Sequence, residues 1–349
     1  MPQTGTCVKS PLIIVPMHRR DYTDAVGALR CAESDGNAEV HPPMTMSEIR
    51  SPVGRNAAIL YLAIWAVSTL YLAIKGADWT FPIASLLIFG GLFSGLAWFF
   101  TRKMDAPALP VINPRRESLA VLIYLAVYAL VIFGWLYGAL KAAIPPGQVQ
   151  EIAVMAFKLI VSVALPSLVL LKAGGSIRPL WDAGIGRRGF WPALAIFSLV
   201  SFGLLGVVRP ALGQIAGLHL NGVAIPFAIA GAWAWVSLEA GLCEEYLFRA
   251  ILQSRLSAWL KSPVAGIVVA SLLFALTHVP GLWLRGTPEV DGYSADLIQV
   301  AAFTVATLSP IALALGILWA RSRSLLLIVL VHGAIDALPF TAEFVKIWS

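Results

Sequence analysis

Nine apolar segments, each about 18–25 residues long, fill most of the chain between residues 57 and 341. As an α-helix rising 1.5 Å per residue, a run of that length covers the ~30 Å hydrocarbon core of a bilayer. The segments are 57–75, 81–100, 118–139, 152–171, 190–208, 223–247, 263–280, 297–319 and 324–341. They predict an all-α fold, a polytopic transmembrane bundle of about nine spans. Composition agrees, because only 13% of residues are charged and the mean hydropathy is +0.80, whereas soluble domains carry about 25% charged residues.

The charges between the runs set an orientation. Alternate connections hold Arg102, Lys103, Arg115 and Arg116, then Lys172, Arg178, Arg187 and Arg188, then Arg249, Arg255 and Lys261, then Arg321 and Arg323. The intervening ones offer little beyond Lys141, Arg209 and Arg285. Cytoplasmic loops are the basic ones, so the expected topology has a cytoplasmic N-terminus and an outside C-terminus, in a bacterial-type plasma (inner) membrane. The net charge of +6 is explained by these loops. No basic stripe with interleaved aromatics suggests a nucleic-acid partner.

Residues 1–50 are polar, mixed in charge and rich in Pro, Gly and Asp, and read as a disordered cytoplasmic tail. Met44 or Met46 would serve as a start just ahead of the first span, which leaves open whether residues 1–43 are translated. The expected organisation is this tail, N-terminal helices over 51–175, and a functional core over 176–349. Cys7, Cys31 and Cys243 form neither a zinc ribbon nor a disulfide framework.

Ionisable side chains in an apolar span cost about 2.5–3.5 kcal/mol on insertion scales, so they are candidates for function. Three groups stand out in the later spans. Glu244-Glu245 is followed by Arg249, and Glu245 and Arg249, four apart, share a helical face. Glu244 points roughly 100° away. Two adjacent carboxylates in low dielectric do not both ionise easily, which suits acid–base work; a solvated helix end is the bland alternative. His278 ends an apolar stretch before Pro280, as a ligand, a catalyst or a packed histidine. His332 and Asp336 share one face of the last span, for function or for an interhelical hydrogen bond. Counted from the basic ends of their helices, His278 lies about 22 Å deep, Asp336 about 18 Å and His332 about 12 Å. Glu244 lies about 22 Å deep if the sixth helix runs on to Trp259. The four could therefore meet in a cavity opening to the cytoplasm, with Glu239 one turn or so above Glu244. No zincin H-E-x-x-H pair, serine-protease motif, presenilin-like motif, P-loop or Rossmann fingerprint is present.

Glu244-Glu245…Arg249, Phe274…His278 and His332…Asp336 occur in the order of a known pattern, E-E-x-x-x-R, F-x-x-x-H and H-x-x-x-Asn or Asp. Over roughly residues 180–341 the chain resembles the CAAX-protease and bacteriocin-processing family of intramembrane proteases. The resemblance implies an endopeptidase in which Glu244 activates water, His278 assists or orients it, and His332 and Asp336 form the oxyanion-stabilising or ligand side. Glu245, Arg249 and Phe274 would support that geometry. It also implies a substrate that is a membrane protein or hydrophobic peptide, cleaved from the cytoplasmic side. Glu244, His278, His332 and Asp336 could alternatively hold Zn²⁺ with an open position for water. Between a metal and a glutamic mechanism the reading leans to the glutamic one. An immunity or scaffold protein of the same fold, and a proton-coupled transporter, are the rivals from other classes.

Overall fold

The structure, a computed structural model, describes residues 39–208, 211–288 and 290–349. The expected tail up to residue 38, and Arg209, lie outside the described residues. Among the described residues, eight helices are long and apolar enough to cross a membrane. They are α1 (Pro52–Ile74), α2 (Thr80–Thr101), α3 (Pro114–Ala143), α4 (Gln148–Lys172), α6 (Ala224–Trp259), α7 (Pro263–Arg285), α8 (Leu297–Ser322) and α9 (Leu325–Trp348). A shorter apolar helix, α5 (Phe190–Val208), brings the bundle to the expected nine. The sixth span does run on to Trp259, and the last extends to Trp348, seven residues past its expected end.

Local chemistry starts these helices where the sequence offers a cap. Ser51, Ser262 and Ser324 accept from the backbone N–H groups of Gly54, Ala265 and Leu327. Asp296 accepts from Ile298 and Gln299 at the head of α8. Proline follows the cap in α1 and α7, where its missing N–H costs nothing.

Residues 39–50, assigned to the tail on composition, are folded in part, and the tail boundary is corrected accordingly. Strand β1 (Glu39–His41) pairs antiparallel with β2 (Leu109–Val111), and a short helix covers Met46–Arg50. Tertiary contacts outweigh the polar composition there. The Met44 N–H donates to the Ala320 carbonyl, Arg321 donates to the Met44 carbonyl, and the Met44 side chain packs on Val264, Ile267 and Ala320.

α8 and α9 form the centre. In their most apolar windows 67% and 72% of residues are buried, against 17% in α1 and α2, whose outer faces are left for lipid. α9 packs along α6, and two glycines permit the approach. A Cβ on Gly333 would lie 2.0 Å from Ser237 Oγ and 3.0 Å from its Cα, and one on Gly241 would lie 2.7 Å from the Val329 carbonyl oxygen. Small residues serve this purpose where membrane helices touch. Gly333→Ala is expected to destabilise the protein by about 1–3 kcal/mol through overpacking and to push His332 away from α6. The check is its unfolding midpoint in detergent beside that of Gly203→Ala, a site where a Cβ meets nothing within 4 Å.

Candidate active site

The site is assembled by α6, α7 and α9, with α3 closing one side. α6 departs from regular α winding around the glutamate pair. Ser237–Leu242 and Glu245–Gln253 are wound with π-helical, i→i+5 hydrogen bonding, a distortion that recurs at functional sites. From this helix Glu245 turns into the protein and is fully buried, while the Glu244 side chain keeps 20% of its surface accessible.

Glu245 is the hub of a buried polar chain. Arg249 Nη1 donates to Glu245 Oε1 at 2.9 Å, and His332 Nδ1, from α9, lies 2.6 Å from the same oxygen. A carboxylate oxygen with these neighbours accepts from both, so His332 Nδ1 carries a proton. This bond aims the other ring nitrogen at the remaining carboxylates: Nε2 lies 3.3 Å from Asp336 Oδ2 and 3.8 Å from Glu244 Oε2. Glu245 thus orients His332 directly, besides forming the expected Arg249 pair. Arg249 lies over the Phe274 ring at 4.4 Å, a cation–π contact strengthened by desolvation. Phe274 also meets Phe248 edge-on at 5.0 Å and the His278 ring at 4.8 Å.

His278 sits at a break in α7. Pro280 lacks an N–H and its ring opposes the carbonyl four residues earlier, which breaks the helical ladder. The His278 N–H accordingly bonds the Ala275 carbonyl, three residues back. Its Nδ1 is 2.8 Å from the Phe274 carbonyl. A carbonyl can only accept, so Nδ1 bears the hydrogen, and in the neutral ring Nε2 presents a lone pair.

Two cavities meet at His278. One is small, with about 10 Å³ of room for a water's centre, and is lined by Tyr128, Phe133, Glu244, Phe248, Thr277 and His278. That is the space of roughly one water molecule. The other is a mainly apolar cavity of about 900 Å³ that reaches His278 and Asp336 at one end and Arg285 at the other. Its walls include Phe81 and Ser85 near the start of α2, and Phe303 and Thr304 near the start of α8. These helix ends lie away from the basic loops. The expected opening toward the basic, cytoplasmic face is therefore corrected: the large cavity occupies the opposite half of the bundle. The reason is the break at His278, beyond which α7 and the early turns of α2 and α8 stand apart.

The arrangement brings Glu244, Glu245, His332 and Asp336 together, and puts His278 across the water-sized chamber from Glu244. Among the described residues, no three His, Cys, Asp or Glu side chains are placed to hold one metal ion. Glu244, His278, His332 and Asp336 are not gathered as a Zn²⁺ coordination sphere among the described residues, although the Nδ1 hydrogen bonds of both imidazoles leave Nε2 as the nitrogen facing the site.

Several partners of α6 escaped the sequence reading. Glu239 does not stand alone above Glu244: it forms an ion pair with Lys158 of α4. The lone lysine in the fourth apolar run was the available signal. Arg255 is buried rather than solvated, donating to Glu117 at 3.1 Å and to the Ser176 carbonyl at 3.0 Å. Tyr128, on the chamber wall, had no signal in a span rich in aromatics.

Residues 226–338 match the family model described as Type II CAAX prenyl endopeptidase Rce1-like. That stretch holds every site residue named from the sequence, and neither α3 nor α4. No curated protein and no solved structure gives a significant match to the chain.

Proposed function

We propose that this chain, whose residues 226–338 match the Type II CAAX prenyl endopeptidase Rce1-like family model, is an intramembrane endopeptidase that hydrolyses a peptide bond with water activated by Glu244. The observation that carries this reading is the pair of cavities sharing His278: one has room for about one water beside Glu244, the other can hold an apolar chain. A volume of 900 Å³ is within the ~300–1,000 Å³ range of small-molecule sites. A hydrophobic or lipid-modified protein terminus suits its walls, and the family description names a prenyl endopeptidase.

In this mechanism the water oxygen bonds to the scissile carbonyl carbon while one water proton passes to Glu244. The His278 Nε2 lone pair accepts the hydrogen bond of the other, which fixes the water's direction. When the C–N bond breaks, the proton held by Glu244 goes to the departing amine. His332 and Asp336 flank Glu244, with His332 kept in place by Glu245. No step passes through a metal. The setting would be a plasma (inner) membrane, and the alternation of basic loops favours a cytoplasmic N-terminus.

The test compares protein termini, by mass spectrometry, in membranes from cells carrying wild type or Glu244→Ala at matched expression. At least one terminus in a hydrophobic or lipid-modified protein is expected only with wild type. Identical termini, together with complementation of a deletion strain by the variant, would leave a non-catalytic scaffold instead.

A further inference from the structure

An oxyanion forms on the carbonyl oxygen as water attacks, and it needs hydrogen-bond donors. The carboxylates of Glu244, Glu245 and Asp336 are acceptors when ionised. At Asp336, where the related pattern also allows the amide of Asn, a carboxylate repels the developing charge. The donors nearby are mostly committed. His332 Nδ1 serves Glu245 while its Nε2 faces the Asp336 carboxylate at 3.3 Å, off the chamber wall, and Arg249 lies outside the chamber wall, against Glu245 and Phe274. Within the chamber, Thr277 Oγ1 donates to the Phe274 carbonyl at 2.7 Å and His278 Nδ1 to the same oxygen.

Tyr128 is the exception. It enters the chamber from α3, and its ring is fixed by stacking on Phe133 at 5.8 Å between centroids. Ser162 Oγ, on α4, donates to the Tyr128 oxygen at 3.3 Å. That bond uses a lone pair of the phenol and leaves its proton free to point elsewhere. Among the described residues no hydrogen bond takes that proton. The hydroxyl is buried, where an unused donor is costly unless it has a partner during the working cycle.

We propose that the Tyr128 hydroxyl is the hydrogen-bond donor of the Glu244–His278 chamber, contacting its water and stabilising the oxyanion formed when that water attacks. This rests on the endopeptidase reading above. Tyr128 keeps its proton throughout: the carbonyl π pair moves to oxygen, the water proton goes to Glu244, and the phenol only donates a hydrogen bond. The residue lies outside the stretch matched by the family model, so the N-terminal helices would contribute to the chemistry as well as to the fold.

Two measurements on the full chain test it. Crystal structures of wild type and Tyr128→Phe in a lipidic phase are expected to show one chamber water within hydrogen-bond distance of Tyr128 in the first, displaced or absent in the second. A water held by Glu244 and His278 alone, unchanged in Tyr128→Phe, overturns the proposal whatever the protein cleaves. The second measurement times the appearance of the termini that depend on Glu244. Tyr128→Phe is expected to slow them by about 10²–10³-fold, the usual effect of losing one oxyanion donor, at the same cleavage position and with only the small drop in unfolding midpoint that the lost Ser162 hydrogen bond brings. A wild-type rate in Tyr128→Phe while Glu244→Gln is inactive removes the role of Tyr128 and spares the endopeptidase. Identical termini in wild type and Glu244→Gln remove the endopeptidase reading, and with it the oxyanion role.

Discussion

Glu244→Gln is expected to lower the rate of peptide-bond cleavage by about 10²–10⁴-fold, the range of a lost general base, with little change in stability. The amide matches the carboxylate in size, so the chamber keeps its shape, but it cannot take a proton from water. The stability forecast follows from the surroundings. Glu244 retains 20% of its side-chain surface, and its neighbour His332 Nε2 is 3.8 Å away, too far for a hydrogen bond. The fold therefore depends little on its charge. The adjacent Glu245→Gln is expected to behave oppositely, losing stability and activity together, because that fully buried carboxylate is bonded to both Arg249 and His332. Paired measurements of cleavage rate and detergent unfolding on the two variants separate the roles. A Glu244→Gln protein that still cleaves at the wild-type rate would end the assignment of Glu244 as the base.

Arg249→Met is expected to destabilise the protein by about 3–5 kcal/mol, the usual cost of stripping one partner from a buried ion pair. Arg249 and Glu245 are 2% and 0% exposed, so no solvent can take the place of the lost guanidinium. The pair is also imperfectly satisfied: Glu245 Oε2 and Arg249 Nη2 are buried without a hydrogen bond. Removing both charges should then cost far less than removing one. The double variant Glu245→Met, Arg249→Met is expected to recover much of that loss, since apolar replacement of a buried pair is often neutral or stabilising by about 1–4 kcal/mol, and to fall short of wild type because His332 Nδ1 then lacks its acceptor. It should still be inactive, because His332 loses the carboxylate that fixes its ring. Denaturant titrations of the two variants in the same detergent check this. A single variant as stable as wild type would mean that water reaches Glu245.

The apolar runs determined, without any tertiary information, that the chain is a helical membrane protein, because twenty consecutive apolar residues are a local property that a bilayer reads directly. The same cost made Glu244, Glu245, His278, His332 and Asp336 conspicuous as candidates: each is an ionisable group where such groups are expensive. The end of the apolar stretch at His278, before Pro280, was likewise readable, since a proline acts within one helical turn.

Which partner each charge would find was not readable. Glu239 meets Lys158 across 81 positions, Arg255 meets Glu117 across 138, and His332 meets Glu245 across 87. Helical periodicity says which face a residue occupies, but not which helix faces it. Only the packing of α9 against α6, through Gly333 and Gly241, decided that His332 would take its orientation from Glu245. The large cavity was equally a tertiary matter. It exists where α2, α7 and α8 fail to close around the break at His278, and an unfilled volume leaves no mark on any one helix.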